Sequence, residues 1–273
     1  MANFHVIAGP DETAAHPVIV RDIGAPELKE ALAKGFDDFK AMPTHLAFIG
    51  LIYPVFGIVL AGLTFSNNAL PLLFPLVSGF ALLGPLAAIG LYELSRRREL
   101  GLDTSWEHAF DVLRSPQLPA ILALGVVLMV IFGAWLATAQ GLYEWLYGPM
   151  APDSYTGFVK DVLTTSRGWT LIILGHLIGF VFAAVVFSIS VISFPLLLER
   201  DVGAAVAVQT SVQTVLMNPR TMFFWALIIA AALMVGSAPL LVGLAVAMPV
   251  LGHASWHLYR KMIAPEAAPT PAE

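Results

Sequence analysis

Long apolar runs separated by short polar stretches dominate the chain. A helix needs about 20 apolar residues to cross roughly 30 Å of hydrocarbon. Four runs reach that length: His45 to Phe65, Ala69 to Leu94, Pro119 to Gln140 and Trp169 to Leu198. A further apolar region, Thr221 to Tyr259, is too long for one crossing, and its middle, "VGSAPLLVG", sets Gly236, Ser237 and Pro239 where a turn would fall. Split there, the pattern predicts an all-α membrane protein with six transmembrane helices. The alternative for the last region is one long tilted helix with a proline kink, since prolines are tolerated inside membrane helices.

The punctuation before the odd spans recurs. "KAMPTH", "LRSPQL" and "LMNPRT" place Pro43, Pro116 and Pro219 near the entrances of spans one, three and five. Four and seven residues before each proline stand apolar or small side chains: Phe39 and Phe36, Val112 and Ala109, Val215 and Val212. That spacing with polar residues between predicts a short amphipathic helix before each proline. In the second copy Thr104 followed by Glu107 fits a capping box. The even spans carry Pro85, Pro195 and Pro249 at or beyond their middles. The pattern reads as three repeats of interfacial helix plus helical hairpin, the second stretched by the loop from Gly141 to Arg167; chance spacing of helix punctuation is the competing explanation. Such helices lie at the headgroup level or pack across the bundle ends.

Charge then orients the bundle. Lys and Arg gather in cytoplasmic loops, and with six spans one side holds only Lys160 and Arg167 of the 14. The other side holds all the rest, including the triplet Arg96, Arg97 and Arg98, which anchors the topology by stopping span two; a lipid-headgroup or phosphate site is its functional alternative. Both termini are therefore expected in the cytoplasm. In the outer loop, Tyr143, Trp145 and Tyr147 suit an aromatic interface belt, and Phe158, Val159 and Val162 suit the apolar face of a short surface helix. The organisation expected is a mobile N-terminus over 1–25, a membrane domain over 26–262 and a flexible tail over 263–273. The N-terminus lacks a basic start followed by a long apolar core, so no cleavable signal peptide is expected.

Composition agrees with the pattern: 58% of residues are hydrophobic and only 12% charged, against about 45–50% and about 25% in soluble domains. The net charge of -5 argues against a nucleic-acid surface, and the absence of cysteine removes disulfides, thiolate metal sites and cysteine nucleophiles.

Ionisable groups inside a bilayer are costly and so are candidates for function. His176 lies well inside a span, between Gly175 and Gly179, whose GxxxG spacing lets another helix approach closely. A neutral histidine bonded across that contact is the structural expectation; metal, haem or proton-relay roles are the functional ones. His253 and His257 share a helical face and, with His45, make a candidate histidine cluster at the inner boundary. No P-loop, dinucleotide fingerprint, HExxH or nucleophile elbow is present. No catalytic residue, resident metal or other cofactor is therefore expected, and the protein reads as a nonenzyme.

The stretches "LAKGFDDFKAMPTHLAFIGLIYPVFG" and "SGFALLGPLAAIGLYELSRRRELG" resemble a family of bacterial integral membrane proteins catalogued as domain of unknown function 2189. The resemblance extends from about Lys29 to Lys261 and is clearest in the first two spans. It implies a multi-pass inner-membrane bundle and brings no catalytic residues. Some relatives carry labels linking them to cytochrome oxidase, but this sequence lacks a set of haem and copper ligands. The functional expectation is an accessory, assembly or scaffolding protein whose partners are the lipid bilayer and another membrane protein. A small-molecule transporter or lipid-handling protein is the alternative, and a histidine-based metal or haem protein is a third.

Overall fold

A computed structural model describes residues 18–42, 71–150, 152, 154–238 and 242–265. Among these, regular structure is helical apart from one antiparallel bridge between Val20 and Ile263. The helices are α1 (Ala25–Ala41), α2 (Leu73–Phe80), α3 (Gly84–Ala87), α4 (Ile89–Glu99), α5 (Leu118–Tyr147), α6 (Tyr155–Thr164), α7 (Ser166–Ser190), α8 (Ser193–Glu199), α9 (Gly203–Met217), α10 (Pro219–Ser237) and α11 (Leu244–Met262), with 3-10 segments at Ala81–Leu83 and Trp106–Arg114.

Among the described residues, four stretches are long and apolar enough to cross a membrane: Phe74–Glu99, Leu118–Tyr147, Ser166–Glu199 and Pro219–Ser237. The expected span from His45 to Phe65 lies outside the described residues. The long last apolar region forms two helices rather than one. A Cβ on Gly243 would lie 2.8 Å from the Gly236 Cα, so the end of α10 and the start of α11 meet backbone to backbone.

Prolines explain where two spans change course. A helical proline cannot donate its N–H and crowds the carbonyl four residues earlier. Four residues before Pro85 is Ala81, where the α-helix tightens into the 3-10 turn Ala81–Leu83. Four before Pro195 is Val191, and there α7 gives way to a turn before α8. The broken backbone is repaired from α9: the Ile192 N–H donates to Ser211 Oγ at 3.1 Å, and Ser193 Oγ donates to the Ile189 and Ala207 carbonyls.

Helices precede all three punctuating prolines, but on the first and third the buried faces differ from the expected ones. On α1, Phe36 is 48% exposed, and the buried stripe is Leu28, Ala31, Gly35 and Asp38. Small residues win because α1 lies very close to α11, where a Cβ on Gly35 would sit 2.5 Å from the Ala254 N. On α9 the buried residues are Gly203, Ala207, Thr210, Ser211 and Thr214, with Val212 and Val215 only half-buried. The segment before Pro116 is a 3-10 helix beginning after Ser105 with no side-chain cap. The expected Thr104 box does not form; the Ser105 N–H and hydroxyl instead donate to Asp103. Ala109 of this segment packs on Gly90 of α4.

The chain divides into two compact units, one of Met1–Ile49, Pro85–Leu124 and Ser188–Glu273, the other of Gly50–Gly84 and Gly125–Phe187. In the first, the ends of the described chain are tied together: Arg21 N donates to Met262 O at 2.7 Å and Ala264 N to Ile19 O at 3.0 Å. Asn218 bonds the Ile23 N–H and the Arg21 carbonyl, and Thr221 the Ile23 carbonyl. In the second unit, Trp135 of α5 is the hub. Its Nε1 donates to the Pro75 carbonyl at 2.9 Å, and its ring meets Gly79, Gly179 and Phe182. Membrane helices associate through such close packing because lipid tails offer no hydrophobic driving force.

Candidate functional site

α1 carries a carboxylate at the end of its stripe of small residues, and that carboxylate is the centre of the first unit's polar core. Asp38 is 4% exposed. Its Oδ2 accepts from Ser95 Oγ at 2.6 Å and from His257 Nε2 at 2.8 Å, and its Oδ1 accepts from Arg98 Nη1 at 2.5 Å. Ser95 and Arg98 belong to α4 and His257 to α11, so one carboxylate joins three helices. Burial works to raise the Asp38 carboxyl, but hydrogen bonds from His257, Ser95 and Arg98 outweigh it and hold it below the ordinary carboxylate range.

His253, one turn before His257, is fully buried and lies 2.8 Å from Ser95 Oγ through Nδ1. Ser95 has one proton and gives it to Asp38, so His253 Nδ1 is the donor in this pair. This order differs from a nucleophilic triad, in which a histidine nitrogen accepts the serine proton. It makes Ser95 a bridge between a carboxylate and an imidazole.

The histidines singled out by sequence therefore separate. His253 and His257 come together, as their spacing required, and each ring makes a hydrogen bond within the cluster. Among the described residues no group of three or more His, Asp or Glu side chains could hold a metal ion. His45 lies outside the described residues. His176 belongs to the other unit, where it is exposed and bonds the Ile172 carbonyl of its own helix at 2.7 Å, with Phe74 beside it. Among the described residues no bond from His176 crosses the GxxxG contact, and the glycines pack on α5: a Cβ on Gly179 would lie 3.2 Å from the Trp135 ring and one on Gly175 3.9 Å from Leu142.

The arginine triplet splits three ways because successive helical residues point about 100° apart. Arg96 forms a fork with buried Glu93 at 2.8 and 2.9 Å, Arg97 reaches Asp111 and the Asp103 carbonyl, and Arg98 reaches Asp38. Around them, Glu99 accepts from Trp256 and Arg260, while Glu199 accepts from Tyr259 and Arg260. On the 3-10 segment, His108 lies between Asp111 (2.6 Å) and Asp103 (3.0 Å). Its bond to Asp111, with help from Asp103, raises it above the ordinary histidine value.

The second unit holds an aromatic cluster instead. Tyr143 and Tyr147 stack at 5.3 Å with Phe158 edge-on to both, and Arg167 covers Tyr147. Phe158, Val159 and Val162 are half-buried on α6, which Ser154 caps through the Gly157 N–H. Of the three expected belt aromatics, only Trp145 faces outward, at 70% exposure; Tyr143 is buried. Its hydroxyl donates to the Met150 carbonyl, which turns that ring into the loop.

Apolar crossing helices with large side chains exposed along them define an all-helical integral membrane protein. Residues 72–199 match the family described as predicted integral membrane protein (DUF2189). This match runs from the second expected span to the fourth, a shorter stretch than the resemblance from Lys29 to Lys261. No curated protein and no solved structure matches the chain.

Proposed function

We propose that the protein is a nonenzymatic, multi-pass protein of a bacterial inner membrane that scaffolds, or assists the assembly of, another membrane component. The observation that carries this reading is the saturation of the Asp38 carboxylate by Ser95, His257 and Arg98. A carboxylate bonded from three sides fixes α1 on α4 and α11 and makes a rigid platform. Outside that platform, α7 and α10 leave Leu177, Phe180, Phe223, Leu227 and Met234 exposed to lipid or to partner helices. In this reading the span from His45 and α11 complete six crossings, the three proline-led units are repeats, and both termini lie in the cytoplasm.

The test is mass spectrometry of what remains bound to the tagged protein, expressed at native level and purified in mild detergent. A recurring stoichiometric membrane protein is the expected result, and recovery of the protein alone would overturn the reading. Reporter fusions at Asp153 and Ser237 are expected to read periplasmic. Transport or lipid handling is the second reading, favoured by the break at Val191 inside an apolar stretch, since carrier sites are typically built at interrupted helices. Recovery with a defined small molecule would favour it.

A further inference from the structure

A cleft of about 470 Å³ opens in the first unit where three candidate spans end. Its walls are the last turns of α4, the end of α8 and the loop that leads into α5, and they bring together Arg96, Arg97, Arg114 and Arg200. Four carboxylates line it as well, but three are already engaged. Glu93 is forked by Arg96, Glu199 is taken by Arg260 and Tyr259, and Asp111 is shared by His108 and Arg97. The fourth, Asp201, is exposed.

The cationic donors are less fully used. Arg114 is 87% exposed and reaches Asp111 only at 3.5 Å. Arg200 donates from Nη2 to the Ala264 carbonyl, while its buried Nε has no partner among the described residues. A guanidinium has five N–H donors arranged to fit phosphate oxygens. We propose that this cleft binds a phosphate-bearing anion, the headgroup of an anionic membrane lipid, held chiefly by Arg114 and Arg200. Position identifies the lipid: the cleft lies at span ends, where headgroups lie. The adjoining 3-10 segment exposes Trp106, Phe110 and Leu113, the apolar residues that dip below the headgroups in an interfacial helix. The site is independent of whether the protein scaffolds or transports.

The full chain is reconstituted in vesicles of equal phosphatidylglycerol and phosphatidylcholine, extracted in mild detergent, and its retained lipid is quantified by mass spectrometry. Phosphatidylglycerol should be enriched over phosphatidylcholine, and R114Q and R200Q should each lower that enrichment about fivefold. R114Q alters an exposed side chain and leaves folding intact; R220Q removes an exposed arginine outside the cleft and should change nothing. Unchanged enrichment in folded R114Q and R200Q, or an equal loss in R220Q, overturns the site. Release of the lipid by excess inorganic phosphate would assign the cleft to free phosphate and overturn the lipid source; retention of the lipid is expected.

Discussion

Asp38 and Trp135 hold comparable places in their units. Each is almost fully buried, at 4% and 5% exposure, and each joins three helices. Their means are opposite. Asp38 gathers Ser95, His257 and Arg98 by charge-assisted hydrogen bonds at the cost of burying a carboxylate, whereas Trp135 fills the space over Gly79 and Gly179 with ring surface and makes one hydrogen bond. A buried ionic hub is fragile to loss of any one partner, because the remaining charges stay buried. An aromatic hub loses contact area in proportion to what is removed. The first unit should therefore fail sharply to small polar changes, and the second should yield gradually.

The largest effect is expected from Asp38→Ala, which leaves the buried Ser95 hydroxyl and the largely buried His257 ring without their shared acceptor and should cost about 3–5 kcal/mol, read by unfolding in mild detergent. The pH dependence has a definite sign. Asp38 is held below its unfolded value of 3.8, so its contribution is complete above that value and is lost as pH falls through the lower folded value. In D38N this acid-side loss should disappear. Gly35→Leu comes next, at about 3 kcal/mol, since the new Cβ would press on the Ala254 backbone, which cannot rotate away.

Ser211→Ala should cost about 2 kcal/mol by leaving the Ile192 N–H at the helix break without its acceptor. In the second unit, Trp135→Phe keeps most of the ring packing and loses the bond to Pro75, about 1 kcal/mol. Leu177→Ala, on an exposed position of α7, should stay within about 0.5 kcal/mol in detergent. If Trp135→Phe proved as costly as Asp38→Ala, the contrast between the units would be broken.

Much of the architecture was legible because a bilayer imposes one strong rule, length of apolar run, and the runs from Ala69, Pro119, Trp169 and Thr221 obey it. Pro85 and Pro195 also stand where two helices break, whereas Pro249 lies inside an unbroken α11. The site was legible only in part. The spacing of His253 and His257 put them on one face, but Asp38 sits among the charged residues of "GFDDFK" and looks like its solvated neighbour Asp37. Its signal was the spacing Leu28, Ala31, Gly35, Asp38, a line of shrinking side chains that ends in a carboxylate. Phe36 and Phe39 masked it, because apolar residues are expected to face inward and here close approach to α11 admits only small ones. His176 was read from the GxxxG spacing beside it, and it bonds the Ile172 carbonyl of its own helix.

The central claim is that Asp38 and His257 act as one unit in clamping α1. A double-mutant cycle with D38N and H257Q, measured by reversible unfolding in mild detergent, tests it most directly. Each single change is expected to be destabilising and the double no worse than the more severe single, giving a coupling energy of about 1–3 kcal/mol. Losses that add to within about 0.3 kcal/mol would contradict the clamp and reduce the cluster to independent buried residues.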